Sequence, residues 1–458
     1  MPEPKFFKAL KHNAKLRRET KLHLKVIKKT GTSLKNHRLS TNYQYLSNNK
    51  LVKNLSDMDK RQASLIELSS RVYELFDQYL DKDESVIDDF DLYRLKSDVN
   101  DEFDYIRYLT EGASGSIFVI KLKRTSKPFL ILKVTSDSKA TLESLHEATI
   151  GTVLMRLTLD GDLHFMLCFL PNFLSSYYLS KKKELSFQEY IKDERYCMIS
   201  EYIQNSKAFT DLLEDTKSTT KRRKLIASVL VSLWTDLSLA QNEYRFMHYD
   251  LHTENVLVQN IKESYKVEKK INDEFEISYK LKIKPVIIDF GQSVVTFRYK
   301  SSRNSKERNH IIKPFDNSGR YHTFSDNQFK TDYFYPLFDA LHFLHFIINH
   351  LIRLKDYELK DEVLEIVYMI TQGVKLSSDL KEFYTLCEDD VLYKKIDPED
   401  EFYFMHNNKK NRELCKSKNA FDLINMFFID PNGPKPSLFE QTLTSLDLKI
   451  TKIKKQSS

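Results

Sequence analysis

Two short segments, well separated along the chain, constrain the fold most, because each joins a carboxylate to an apolar run. The first comprises residues 248–255 (HYDLHTEN), which the apolar Val256, Leu257 and Val258 follow. The second comprises residues 286–291 (VIIDFG), an apolar run that ends in aspartate. Short apolar runs with polar boundaries predict buried strands. The fold must therefore hold acidic side chains at the ends of two buried strands.

These side chains suit phosphoryl transfer. Asp250 and Asn255 stand five residues apart on one predicted loop. A carboxylate there can orient or deprotonate an attacking hydroxyl, and an amide oxygen can bind a metal beside the phosphates. A buried carboxylate such as Asp289 is costly unless a cation pairs with it, and magnesium bridging nucleotide phosphates would supply that cation. Each motif alone also occurs in ordinary loops, so the prediction depends on their combination and order.

A glycine loop and a lysine precede both segments. Residues 111–117 (EGASGSI) carry two of the nine glycines between two predicted strands, where backbone amides can approach a triphosphate. Lys133 lies in an apolar run, where a lysine is costly unless an anion meets it. We expect Glu147 to be its helical partner, with Glu143 as the alternative. The plainer interpretations are an ordinary hairpin for the glycines and a solvent-facing edge-strand lysine for Lys133.

The remaining pattern indicates an α+β fold with two lobes. β-prone runs come first, and apolar residues at helical spacing dominate later. Residues 262–284 are charged and partly alternating, and they predict an extended hairpin inserted between the two catalytic strands. The predicted strands are 105–109, 116–122, 129–134 and 196–203. The predicted helices are 65–79, 138–157, 224–240 and 337–354, the last apolar nearly all round.

Together these motifs resemble the eukaryotic-type protein kinases. The variant loop at 248–255 is similar to that of serine/threonine kinases of large DNA viruses such as the insect iridescent viruses. The resemblance extends from about residue 105 to the mid-340s. It implies a bilobal protein kinase fold, with a β-rich N-lobe and a helical C-lobe, that uses ATP and Mg²⁺ to phosphorylate Ser or Thr of protein substrates.

The resemblance implies nucleotide-binding roles in the N-lobe. Gly112 and Gly115 match two glycines of the phosphate-covering loop, and Lys133 matches the phosphate-binding lysine that pairs with a helix glutamate. The hinge at residues 198–203 would meet adenine through the Glu201 carbonyl and the Ile203 amide. The implied nucleotide-binding set is Gly112, Ala113, Ser114, Gly115, Ile117, Lys133, Glu147, Glu201 and Ile203.

The resemblance also implies roles in the C-lobe. Asp250 matches the catalytic base, and Asn255 and Asp289 match the metal ligands, so that the implied catalytic set is Asp250, Lys133 and Asn255. Asp339 resembles the buried aspartate that ties the central helix to the catalytic loop, and Asp332 is the rival for that role.

Four departures from the family pattern matter. Thr110 replaces the first glycine of the loop. Tyr249 replaces the arginine that receives an activation-loop phosphate, so we hypothesise that activity does not need such phosphorylation. His252 replaces a lysine, as in haspin and the aminoglycoside and choline phosphotransferases. No A-P-E follows Gly291, and residues 296–331 are unusually polar, which puts the peptide-docking site in doubt.

Two alternative functions follow. A small-molecule kinase of the aminoglycoside or choline type is suggested by His252, but that group generally lacks the phenylalanine and glycine that follow Asp289 here. A pseudokinase scaffold would need a missing catalytic group, whereas Lys133, Asp250, Asn255 and Asp289 are all present.

The resemblance and the charge distribution together divide the chain into five parts. They are a basic N-terminal arm at 1–53, a helical extension at 54–100, the N-lobe at 101–203, the C-lobe at 204–445 and a basic C-terminal tail at 446–458. The arm has fourteen Lys/Arg against two acidic residues, a net charge of +12, so the rest of the chain is −5 within a total of +7. Such an arm can contact nucleic acid, anionic lipid or an acidic partner such as an import receptor, and it is also consistent with a solvated tail.

Cysteine usage and hydropathy predict the compartment. The four cysteines include no paired C-x-x-C pattern, which favours a reducing environment. No apolar signal core follows the N-terminus, and residues 337–354 carry too many polar side chains to span a bilayer. We expect a soluble intracellular protein, in host cytoplasm or virion if viral, with no transmembrane segment.

Overall fold

The computed structural model describes most of the chain beyond residue 102, in two compact units. The described residues up to Gln204, with Pro314, belong to the first unit, and the others from Asn205 onward belong to the second. The basic arm and the predicted helix at 65–79 lie outside the described residues, apart from Leu22 and Val26. The described residues are 103–112, 115–122, 129–135, 138–161, 164–166, 168–175, 195–301, 304–314, 334–373 and 409–453, with Leu22, Val26 and Lys381.

The first unit contains an antiparallel five-stranded sheet with strand order β1-β2-β3-β5-β4. A long helix, α1, contacts β3, β4 and β5 and buries residues such as Ile150 and Leu154. The predicted strands and helix of this unit are confirmed. Their bounds are Phe103–Gly112 (β1), Gly115–Leu122 (β2), Phe129–Thr135 (β3), Ser138–Gly161 (α1), Cys168–Ser175 (β4) and Arg195–Glu201 (β5).

Helices form the core of the second unit. The predicted helices at 224–240 and 337–354 are confirmed as α3 and α4, and α4 is buried on nearly every side. Trp234 of α3 is fully buried and stacks on Phe427 at a ring distance of 5.8 Å. The bounds are Phe209–Asp215 (α2), Thr219–Tyr244 (α3), Phe338–Arg353 (α4), Tyr357–Thr371 (α5), Lys409–Ser417 (α6), Ala420–Ile424 (α7), Ser437–Glu440 (α8) and Leu443–Leu446 (α9).

The second unit also contains more β-structure than the sequence analysis assigns to it. A four-stranded sheet has the order β11-β8-β7-β6, and β9 and β10 form a separate antiparallel hairpin. The predicted insertion is confirmed as the long β7–β8 hairpin. Part of the segment 446–458, predicted as a tail, is strand β11 at the sheet edge. The bounds are Ser206–Ala208 (β6), Val256–Lys270 (β7), Phe275–Ile287 (β8), Val295–Ser301 (β9), Asn304–Ile312 (β10) and Lys449–Lys452 (β11).

The described chain is thus an α+β protein with antiparallel sheets. None of its described helices has a stretch long and apolar enough to cross a membrane.

Two buried arginines join α3 to α5. Arg222 donates to the carboxylate of Asp356 at 2.6 Å. Arg223 donates through Nε to both carboxylate oxygens of Glu362, at 3.0 and 2.8 Å. These ion pairs are almost fully buried, so removing one partner leaves an uncompensated charge in the core.

We therefore expect Arg223→Met to lower the free energy of unfolding of the second unit by about 3–5 kcal/mol. Trp234 is the single tryptophan of the chain, so its fluorescence during urea denaturation measures this unit. Lys266→Met is the matched control, because Lys266 pairs with Glu268 on the exposed surface, where water screens the pair, and its loss should leave the free energy of unfolding close to that of wild type. Equal losses for the two variants would contradict the assignment of a core role to Arg223.

Candidate functional site

The β7–β8 hairpin brings the two acidic segments together. β7 begins directly after Asn255, and Asp289 follows two residues after the end of β8. Val256 lies opposite Ile287 in the ladder, and the Ile288 N–H donates to the Asn255 carbonyl at 3.0 Å. The hairpin register therefore places Asn255 and Asp289 side by side.

A buried carboxylate on α4 holds the loop at 248–255. Asp339 accepts the backbone N–H of His248 at 2.7 Å and that of Tyr249 at 2.8 Å, one on each oxygen. Burial raises the pKa of Asp339 to about 7, while the two N–H donors act in the opposite direction. The expected tie between α4 and the loop is confirmed. The rival, Asp332, lies outside the described residues.

The imidazole of His248 joins the loop to the end of β8. Its Nδ1 accepts the Asp250 N–H at 3.3 Å, so Nε2 carries the hydrogen and donates to the Ile288 carbonyl at 2.9 Å. Burial lowers the pKa of His248 to about 4, so the ring is neutral near pH 7. His248 therefore fixes the backbone on both sides of the site. Sequence analysis assigned it no role, although its position at the head of the motif could have suggested one.

Asp250 sits in a negative environment. Burial raises its pKa to about 8, and the charges of Asp289 and Asp339 act in the same direction. The Asp250 side chain is 40% exposed, so water screens part of this repulsion. A cation bound beside Asp250 and Asp289 would offset this excess of negative charge.

Asn255 and Asp289 present an amide oxygen and a carboxylate that could contribute ligands to a magnesium ion. The Asn255 amide Nδ2 donates to the Asp250 carbonyl at 2.8 Å, which leaves its oxygen as the ligand atom. Carboxylate and amide oxygens are the ligands that Mg²⁺ prefers, together with substrate phosphates. Among the described residues, no group of three or more His, Cys, Asp or Glu side chains could hold a metal ion by itself.

The backbone at Asp289 has a left-handed conformation, with φ of 60°. Asp289 Oδ1 accepts the Gly291 N–H at 3.3 Å. A Cβ at position 291 would lie 3.3 Å from the same oxygen, so a larger residue would crowd it. Glycine is therefore favoured beside this carboxylate by the space it leaves.

His252 presents a neutral donor next to Asp250. Its Nδ1 accepts the Glu254 N–H at 3.2 Å, and its Nε2 lies 4.0 Å from Asp250 Oδ1. The ring lies 5.4 Å from that of Phe346, and burial lowers the pKa of His252. The proton of the neutral ring is thus on Nε2. The 4.0 Å separation is too long for a hydrogen bond, but both atoms can contact one oxygen of a bound ligand.

Tyr249 is a core residue. Its side chain is buried beside the Phe338 ring at 5.8 Å, and burial raises its pKa well above the usual value. It therefore does not present a cation at the position where the resembling family carries arginine.

In the first unit, Lys133 pairs with Glu147. Lys133 Nζ lies 2.7 Å from Glu147 Oε2, and both side chains are nearly buried. β3 lies between β2 and β5, so Lys133 is on an interior strand and the edge-strand interpretation is wrong. Glu147, expected in preference to Glu143, is confirmed as the glutamate that contacts Lys133.

The glycine loop connects β1 to β2, which pair as far as its two glycines. Gly112 lies opposite Gly115, which has φ of 149°, a conformation that favours glycine. Ile117 lies opposite Lys133 in the ladder. Ala113 and Ser114 lie outside the described residues.

The predicted hinge at residues 198–203 overlaps the end of β5 and continues to Ile203. Glu201 ends that strand opposite Leu130, and both Glu201 and Ile203 are buried. Of the sequence-predicted residues, the structure therefore brings together Asp250, Asn255 and Asp289 in the second unit. In the first unit it brings Lys133 together with Glu147 beside β2.

One relative provides a sequence comparison. A protein of Invertebrate iridescent virus 6, named "Uncharacterized protein 179R", is 27% identical to this chain over 175 residues. The match covers 36% of this chain, and the chain covers 13% of that protein's length. No model of a known protein family matches the chain.

The pKa of Asp250 generates a prediction about stability against pH. The folded state binds this proton more tightly than the unfolded state, whose carboxyl has a pKa of 3.8. The stabilisation is present below about pH 4 and is lost as pH rises toward about 8. The stability of the wild-type chain relative to Asp250→Asn should therefore decrease between pH 5 and pH 8.

Urea denaturation followed by Trp234 fluorescence, without divalent cations, measures this difference. Asp273→Asn is the control, because the Asp273 side chain is 96% exposed, and its difference from wild type should not change with pH. Parallel pH profiles for wild type and Asp250→Asn would refute the raised pKa.

Proposed function

We propose that this chain is an ATP-dependent protein kinase that transfers the γ-phosphate of ATP to serine or threonine residues of proteins. The observation that carries the proposal is the convergence of Asp250, Asn255 and Asp289 at one end of the β7–β8 hairpin. This set matches the residues that the resemblance assigns to the base and the metal ligands. The two hydrogen bonds that Asp339 accepts from the backbone of the loop at 248–255 are a second point of support.

The fold we propose is bilobal. The first unit would be the β-rich N-lobe and the second unit the helical C-lobe. The outer part of the β7–β8 hairpin and strands β9, β10 and β11 would be additions to the C-lobe. The similarity to an iridescent virus protein supports a viral setting for this kinase.

The proposed roles follow from charge and hydrogen-bonding capacity. Lys133 would bind the α- and β-phosphates, and Glu147 orients its ammonium group at 2.7 Å. The backbone of the Gly112–Gly115 turn would cover the phosphates, and the chain at Glu201 and Ile203 would meet the adenine. Mg²⁺ held by Asn255 and Asp289 would offset negative charge on the phosphates.

Asp250 would act as the base. The acceptor hydroxyl oxygen forms a bond to the γ-phosphorus while the bond from that phosphorus to the bridging oxygen breaks, and ADP leaves with the electron pair. The hydroxyl proton passes to Asp250. With the charge of Asp289 offset, the repulsion that raises the pKa of Asp250 would be weaker, so the pKa would lie closer to its usual value and the ionised form would be available. His252 Nε2–H would donate to an oxygen of the transferred group.

Asp250→Asn should lower turnover by about 10²–10⁴-fold while ATP affinity stays within about twofold, because the base acts on the acceptor rather than on the nucleotide. Lys133→Met should also abolish activity. The assay uses labelled ATP and Mg²⁺ with added proteins and with the chain itself, followed by phosphoamino-acid analysis. Asp273→Asn serves as the exposed-carboxylate control.

The same assay separates the alternatives. Label on phosphoserine or phosphothreonine supports the protein kinase, whereas label on an aminoglycoside or choline in place of protein supports a small-molecule kinase. Wild-type turnover by purified Asp250→Asn would exclude Asp250 as the base.

The buried position of Tyr249 generates a further prediction. Since no cation occupies this position to receive a phosphate, we expect phosphatase treatment of the purified chain to leave its activity within about twofold of the untreated chain. Activity is measured after the phosphatase is removed, and mass spectrometry verifies dephosphorylation. Loss of activity that rephosphorylation restores would contradict the hypothesis.

A further inference from the structure

The β9–β10 hairpin carries a concentration of positive charge. Residues 295–313 include six Lys/Arg and one acidic residue, a net charge of +5. Residues 54–458 as a whole have a net charge of −5, so this segment is opposite in sign to the part of the sequence that contains it. The six basic residues are Arg298, Lys300, Arg303, Lys306, Arg308 and Lys313.

The strand register distributes this charge over both strands. Arg298 lies opposite Asn309, and Arg308 lies opposite Tyr299. Lys300 lies opposite Glu307, the one acidic residue of the segment, so the positions of Arg298 and Arg308 have no acidic residue directly opposite them in the ladder. A short antiparallel ribbon with this composition suits an anionic partner.

The base of the hairpin is fixed to the loop that carries Asp250. Met247 and Val294 exchange backbone hydrogen bonds of 2.9 and 2.8 Å. Val295 and Ile312 lie opposite each other and are buried. Ile311, beside them, is 41% exposed and offers an apolar contact. A partner held on the hairpin is therefore held close to the loop, which begins one residue after Met247.

We propose that the β9–β10 hairpin binds an acidic segment of the protein substrate and so delivers the neighbouring serine or threonine to Asp250. The inference rests on the proposed function and names its substrate class. Opposite charge raises the encounter rate and lowers KM without changing the chemical step. Nucleic acid would also be attracted, but a protein fits better because the base of the hairpin leads to a loop whose proposed acceptor is a protein hydroxyl.

The first test uses wild-type full-length chain and matched peptides. Each peptide has one serine flanked either by glutamates or by glutamines at the same positions. We expect kcat/KM to be about tenfold higher for the acidic peptide, mainly through KM, and the advantage to shrink as salt rises. Anisotropy of the fluorescently labelled acidic peptide measures its binding independently of phosphotransfer.

The second test removes four charges from the hairpin. The hairpin variant combines Arg298→Gln, Lys300→Gln, Lys306→Gln and Arg308→Gln. The control variant removes four exposed lysines from the β7–β8–β11 sheet by combining Lys266→Gln, Lys270→Gln, Lys280→Gln and Lys449→Gln. We expect the hairpin variant to raise KM for the acidic peptide about tenfold, with kcat and the glutamine peptide unaffected, and the control variant to behave as wild type.

The outcomes separate the two proposals. If the wild-type chain phosphorylates no protein or peptide, the proposed function fails, while anisotropy still tests whether the hairpin binds the acidic peptide. Equal kcat/KM for the two peptides, or equal effects of the hairpin and control variants, would overturn the inference alone. So would hairpin-dependent binding of a DNA or RNA oligonucleotide without binding of the acidic peptide. The wild-type peptide comparison remains decisive if the hairpin variant fails to fold.

Discussion

The two hydrogen bonds from the loop backbone to Asp339 are the interaction on which the candidate site depends. Tyr249 has φ of 62°, which is unfavourable for a bulky residue and costs about 1–3 kcal/mol. The carboxylate accepts the backbone N–H groups of His248 and Tyr249, two successive residues, and holds this conformation in place. Asp339 also stands in the first turn of α4, where the helix dipole favours a negative charge. Asp250 follows directly, so its position is set by a contact in the core.

The same helix also supports the loop through its side chains. Phe338, His342 and Phe346 follow one another at four-residue spacing on α4, and neighbouring rings in this row lie 5.3 and 4.9 Å apart. The first ring of the row packs on Tyr249, and the last ring packs on His252. The loop is thus fixed by α4 at its backbone and at two of its side chains. This makes the site a product of long-range packing between residues some ninety positions apart.

Sequence reasoning predicted the parts of this arrangement that local pattern encodes. The apolar helix α4, the inserted β7–β8 hairpin and the pairing of Lys133 with Glu147 follow from periodicity, charge alternation and the cost of a buried lysine. The strands β9 and β10 were not predicted, because residues 296–312 are polar and their pairing depends on cross-strand register. β11 was likewise not predicted, since Lys449–Lys452 forms a strand only by pairing with the edge of β8. The bridging role of His248 depends on the left-handed turn at Tyr249, which no local propensity indicates.

Tyr249 and His252 differ from the protein kinase pattern that the motifs resemble, and the two differences have related physical consequences. A tyrosine inside the core at position 249 removes a cation that would otherwise need an anionic partner, and the Asp339 bonds hold the loop without one. A neutral His252 replaces an ammonium group with a single directed N–H, so it adds no positive charge next to Asp250. Positive charge in this part of the second unit is concentrated instead in the segment that follows Gly291. In the proposed enzyme, contacts within the fold therefore set the conformation of the loop at 248–255. Electrostatic attraction comes from the β9–β10 hairpin, where it acts on the protein substrate and not on Asp250.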